Sequence, residues 1–170
     1  MYNEEISIYG NAVTVRATGS NKPTINGGDS EQYGFESNVS GNIYQGLTFR
    51  GQTKSPIYGM TDAGKNFIMS GCVATYPGPF YVGSNGESAE IQACRLLATN
   101  NAAITVTATS PKVWVNNSFI GSNKPGKSVL NGPGAVTSIT ASYCTIVGSG
   151  REDSSNAVSY THLRAHETRH

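Results

Sequence analysis

One register runs through most of this chain. Five segments fit the pattern apolar, two variable, small or apolar, one variable, apolar: Tyr44 to Phe49, Met69 to Ala74, Ile91 to Leu96, Val115 to Ile120 and Ala141 to Ile146. Their fourth-position anchors are Leu47, Cys72, Cys94, Ser118 and Cys144, spaced by 25, 22, 24 and 26 residues. About ten residues after the first four anchors come Ile57, Val82, Ile104 and Val129, each inside a short β-prone piece. The pentapeptide Gly-Ser-Asn-Lys-Pro at 19–23 recurs at 121–125. Gly, Asn, Ser and Pro fill the gaps, as turns require. A period near 24 with several short strands per repeat is a solenoid signature.

Composition decides which solenoid. Leucine-rich repeats need regular Leu, and the chain has five Leu against 23 Val and Ile. Gly, Ser, Thr and Asn supply 70 of its 170 residues. A β-sandwich would place hairpin turns between antiparallel strands, whereas corresponding strands here recur once per repeat, as parallel stacking demands. The expected fold is all-β: a right-handed, single-stranded parallel β-helix of about six coils, stacked about 4.8 Å apart. Ile6, Ile8, Val13 to Val15 and the stretch 23–28 supply the first coil. With 14% charged residues, a net charge of +1 and no basic cluster, nucleic acid is not an expected partner. No apolar run reaches membrane-spanning length, so no membrane span is expected.

The three cysteines share the anchor position and should form one inward file with Leu47 and Ser118. Cys72 and Cys94 fall on adjacent coils, within disulfide range, but stacked side chains point the same way, so free thiols are expected. The spacing matches no zinc motif, and a buried file is a poor place for catalysis.

Solenoid ends need capping, and Met1 to Glu5 is too short to serve. No signal-peptide pattern opens the chain. It is therefore read as an inner piece of a longer protein with flanking domains. Residues 1–156 are assigned to the β-helix domain. Residues 157–170 are read as a non-native tail, because 158–168 resemble a translated sequencing adapter. His162 and His166 would share a helix face, but no acidic or Cys partner lies nearby, so metal binding is set aside.

Residues 13–28, Val-Thr-Val-Arg-Ala-Thr-Gly-Ser-Asn-Lys-Pro-Thr-Ile-Asn-Gly-Gly, followed by Gly46-Leu47-Thr48-Phe49, resemble the opening coils of pectate-lyase-like right-handed β-helix proteins. Val113-Trp114-Val115-Asn116-Asn117 looks like the Val-Trp-Ile-Asp-His strand of extracellular pectate lyases, with Asn116 and Asn117 replacing Asp and His. The likeness covers roughly residues 6 to 150, through motifs that are mostly structural. It implies substrate lying along one parallel sheet, here the strands of Ile57, Val82, Ile104 and Val129. Calcium-dependent members carry acids where those strands start. The corresponding residues are Ser55-Pro56, Pro79-Phe80, Ala102-Ala103 and Lys127-Ser128, so no calcium site is expected, and no other cofactor.

Glycoside hydrolysis needs paired carboxylates. Asp62 and Glu87 each lie five residues past a strand anchor and would align on the outside, where the plainer reading is two loop acids. A β-eliminating lyase needs a base and a cation for the uronate. Arg50, Lys54, Lys65, Arg95, Lys112, Lys124 and Lys127 are available, and spacing singles out none. Asn38 and Asn116 open weak Asn-x-Ser sequons. If Ile57 and Val82 point inward, Tyr58 and Tyr81 point outward on neighbouring coils. Tyr58, Tyr81, Asp62, Glu87 and Thr105 could then line one polysaccharide groove, flat rings facing sugars. Cross-coil aromatic stacking that stabilises the sheet explains the tyrosines equally well.

The sequence thus leads to a carbohydrate-active β-helix module, extracellular or at a cell surface, acting on acidic, uronate-containing polysaccharide. If it is an enzyme, it is a polysaccharide lyase. The alternative is a non-catalytic surface solenoid: an adhesin, fibre or spacer, binding glycans or nothing.

Overall fold

A computed structural model describes residues 6–29, 32–59, 66–77, 80–82, 88–106, 112–127, 129–131 and 138–148, with backbone alone for Gly59, Tyr81, Val82 and Ser138. The first rung holds β1 (Ile6–Ile8), β2 (Thr14–Arg16) and β3 (Thr24–Asn26). The second holds β4 (Tyr33–Ser37), β5 (Asn42–Gln45) and β6 (Thr48–Arg50). The third holds β7 (Ser55–Gly59), β8 (Asn66–Ser70) and β9 (Val73–Tyr76). The fourth holds β10 (Phe80–Val82), β11 (Ser88–Gln92) and β12 (Arg95–Ala98). The fifth holds β13 (Ile104–Val106), β14 (Lys112–Asn116) and β15 (Phe119–Ser122), and the sixth β16 (Leu130–Asn131), β17 (Ser138–Ser142) and β18 (Thr145–Gly148).

Every third strand pairs in parallel, giving three faces of an all-β solenoid. The second face, β2 to β17, and the third, β3 to β18, are each continuous over six strands. The first face is two three-stranded pieces, β1-β4-β7 and β10-β13-β16. Counted as turns enclosed above and below, the solenoid has about four rather than the six coils expected, because the outermost rungs have a partner on one side only. No helix occurs among the described residues, and none there is long and apolar enough to cross a membrane. Residues 149–170, including the adapter-like tail, lie outside the description.

Side-chain alternation fills the interior. The third face sends in Ile25, Phe49, Ala74, Leu96 and Ile120, and the second Tyr44, Met69, Ile91 and Val115, all buried. In the second rung Phe35 meets Tyr44 at 5.0 Å and Phe49 at 5.9 Å, so rings from all three faces converge. Ala74 follows Phe49 in its file, a small residue stacked against a large one. Asn42 is the polar member of its inward file. It is satisfied by donating to Ser37 Oγ (2.7 Å) and the Val39 carbonyl (2.8 Å) and accepting from the Val13 N–H (3.0 Å).

The anchor file stands as expected. Leu47, Cys72, Cys94 and Ser118 are buried, and Cys144 is half-buried. The N–H groups of Val73, Arg95, Phe119 and Thr145 donate to the carbonyls of Leu47, Cys72, Cys94 and Ser118 at 2.8–2.9 Å. All three thiols are free. They are also hydrogen-bond donors. Cys94 Sγ reaches the Gln92 carbonyl at 3.2 Å and the Met69 carbonyl of the rung below at 3.4 Å. Cys144 does the same to Ser142 (3.1 Å) and Val115 (3.2 Å), and Ser118 Oγ donates to Asn116 at 2.8 Å. The hydrogen bond with Cys72, then burial, pushes the Cys94 thiol well above its ordinary pKa.

The second series of strands pairs differently from its expected register. Ile104 lies beside Phe80 and Leu130, in place of Val82 and Val129. Phe80 is fully buried and packs edge-on against Phe67 at 5.5 Å, and that aromatic contact fixes the inward position.

A left-handed residue precedes each anchor: Gly46 (φ 67), Gly71 (φ 62), Ala93 (φ 50), Asn117 (φ 46) and Tyr143 (φ 53). This conformation suits Gly and strains residues with a Cβ. At Gly71 an added Cβ would meet nothing nearer than 3.9 Å, so Gly71→Ala tests the dihedral alone. It should lower urea-unfolding stability by about 1 kcal/mol, while Ala93→Gly at the exposed equivalent should raise it by about 0.5 kcal/mol. Equal stabilities for the three proteins would refute the corner's role. Thiol labelling checks the file: Cys144 alone of the three cysteines should react rapidly in native protein, and all three after unfolding.

Candidate functional site

The first face presents outward the residues between its inward ones. Phe35 and Ile57 are buried and in register, which turns Glu36 and Tyr58 outward as the next registered pair, both half-buried. Ser7 continues the file below Glu36. On the other three-stranded piece, Tyr81, Thr105 and Asn131 are in register by backbone; Thr105 is half-buried and Asn131 exposed. No ladder joins β7 to β10 among the described residues.

Tyr58 stacks face to face on Tyr33, ring centroids 4.4 Å apart and planes 10° from parallel. The ammonium of exposed Lys54 lies 5.7 Å from the Tyr33 ring centroid, within cation–π range. Lys54 is held by its own N–H, which donates to the Gln32 carbonyl at 3.0 Å. The structure thus joins Tyr58 to Tyr33, one rung earlier, and aligns Tyr81 with Thr105. The side chain of Tyr81, and Asp62 and Glu87 altogether, lie outside the described residues.

Tyr33, Glu36 and Lys54 complete the cluster, and none of the three belonged to the expected groove; Lys54 was one of seven available cations that spacing did not single out. For Tyr33 the signal was present. The Thr48 N–H donates to the Pro23 carbonyl at 2.9 Å, which puts Pro23 in the anchor file. Ten residues past Pro23 is Tyr33, the same offset that leads from Leu47 to Ile57.

The residues that would correspond to calcium ligands do not fit the ion. Ser55, Pro56, Phe80, Ala102 and Ala103 are buried, and Ser55 Oγ donates inward to the Ile57 carbonyl at 2.8 Å. None is acidic, and calcium requires several oxygen ligands. Among the described residues no three His, Cys, Asp or Glu side chains gather. Beside the turn from third to first face lies a shallow cavity of about 310 Å³, between Asp29, Gln52, Thr75 and Thr99. Gln52 is buried there. Its amide donates to the Ile25 carbonyl at 3.0 Å, leaving its Oε1 without a partner.

No protein-family model, curated protein or solved structure matches the chain.

Proposed function

We propose that this chain is a polysaccharide-binding β-solenoid of the pectate-lyase-like kind, working outside the cell or at its surface on acidic, uronate-containing chains. The observation that carries the reading is the Tyr33–Tyr58 stack with Lys54 beside it, on a sheet face that also bears Glu36, Thr105 and Asn131. Aromatic surface accepts the C–H face of a pyranose. Hydroxyl, amide and carboxylate side chains exchange hydrogen bonds with sugar hydroxyls. Lys54 supplies a cation for a uronate carboxylate, in a position where solvent keeps the attraction salt-dependent.

The reading is tested by measuring affinity for polygalacturonate and alginate oligosaccharides. Tyr58→Ala should weaken binding roughly tenfold, the loss of one aromatic platform. Lys54→Ala should weaken it at low salt, with the difference fading as salt rises. Unchanged affinity in both variants would remove the first face as the site. The lyase version adds a chemical step. The same chain incubated with pectic, alginate and glycosaminoglycan substrates should then release unsaturated, ultraviolet-absorbing products. Binding without any such product would rule out lyase activity and leave a glycan-binding module.

A further inference from the structure

The second face carries a different surface. Its outward files are Thr14, Ile43, Ile68, Glu90, Trp114, Thr140 and, beside it, Arg16, Gln45, Ser70, Gln92, Asn116, Ser142. Trp114, the one tryptophan of the chain, is 40% exposed on this sheet. Buried Val113 and Val115 flank it, so the indole is turned out by strand alternation. Lys112 and Asn116 flank it on the same face of β14. An exposed indole amid polar residues on a rigid sheet has no part in the core.

We propose that this face binds a linear neutral glycan, lying along the solenoid axis with one pyranose packed on Trp114. Three observations carry this. The indole is a flat apolar surface with a polar N–H, suited to a sugar ring. From the second rung to the sixth the neighbouring file offers an amide or hydroxyl, about 4.8 Å apart, close to the length of one pyranose residue, so successive sugars meet successive donors and acceptors. Charge sets the class. Glu90 lies next to Trp114 in its file and accepts a hydrogen bond from the Gln92 side-chain amide, which holds both groups in place. That carboxylate, one rung (about 4.8 Å) from the indole, accepts sugar hydroxyls and repels a uronate, while Lys112 lies two residues (about 6.6 Å) along β14, in register with Ser88.

The proposal does not depend on the first-face site, and the experiment separates them. Because Trp114 is the single tryptophan, fluorescence excited at the red edge of absorption, where the nine tyrosines do not absorb, reports this face alone. Titration with cellohexaose, xylohexaose and mannohexaose should give a saturable emission change with at least one, and a galacturonate hexamer a weaker one. Calorimetry should show Trp114→Ala losing affinity for that neutral hexaose about tenfold, Trp114→Phe losing less, and Tyr58→Ala none. Unchanged far-ultraviolet circular dichroism certifies that the exposed substitution left the fold intact. No saturable change with any neutral hexaose, or equal affinity in Trp114→Ala, would overturn the site. A galacturonate hexamer binding as tightly would overturn the neutral preference.

Discussion

The corner between the second and third faces holds this structure together. From the second rung to the fifth one residue turns left-handed, and its N–H donates to the strand-end carbonyl of the next rung: Gly46 to Ser70, Gly71 to Gln92, Ala93 to Asn116, Asn117 to Ser142, all at 2.9–3.0 Å. That chain of bonds keeps two six-stranded sheets in one register. A slip of one residue would turn every inward side chain to solvent. The strand-end carbonyls of Ser70, Gln92, Asn116 and Ser142 take a second hydrogen bond from the anchor side chain, a thiol at Cys72, Cys94 and Cys144 and a hydroxyl at Ser118. Leu47 holds the same position without a donor, so the corner accepts small polar and apolar anchors alike.

The three cysteines are free thiols. Their parallel orientation in one file disfavours a bridge. Each of Cys72 and Cys94 also has its sulfur within hydrogen-bonding distance of two carbonyls, one on its own rung and one on the rung below, and its single proton serves one of them at a time. A Cys72–Cys94 disulfide would lose those thiol contacts, while the Ser70 and Gln92 carbonyls would keep the N–H groups of Gly46 and Gly71.

The second and third faces were legible because the same two-residue turn separates them on every rung after the first, so the chemistry repeats at the anchor. The first face was less legible because the connections flanking it vary in length. A fixed offset of ten lands on Val82 and Val129, whereas ring packing of Phe80 on Phe67 sets the register by volume. The candidate site inherited that difficulty. Tyr58 was visible by alternation, but its stacking partner Tyr33 follows the anchor-file position Pro23 of the first rung, which lies outside the apolar template. Trp114 lay in plain view as part of a strand motif. Only the burial of Val113 and Val115 on either side shows that its ring belongs to the surface.

A parallel solenoid has limited means of making a deep site. Its core is closed by stacked side chains, and its cavity beside Gln52 is shallow. What it repeats well is an outward file with one member per rung. Such a file discriminates weakly at any single position and gains affinity by engaging many at once, as linked sites do. Its natural ligand is a polymer whose own repeat matches the rise of the rungs. The two faces then differ in what interrupts the repetition: a tyrosine pair with a lysine on one, a lone indole between Glu90 and Lys112 on the other. In the proposed sites specificity would reside in those few residues, with the ladder beneath them setting the length of chain they could hold.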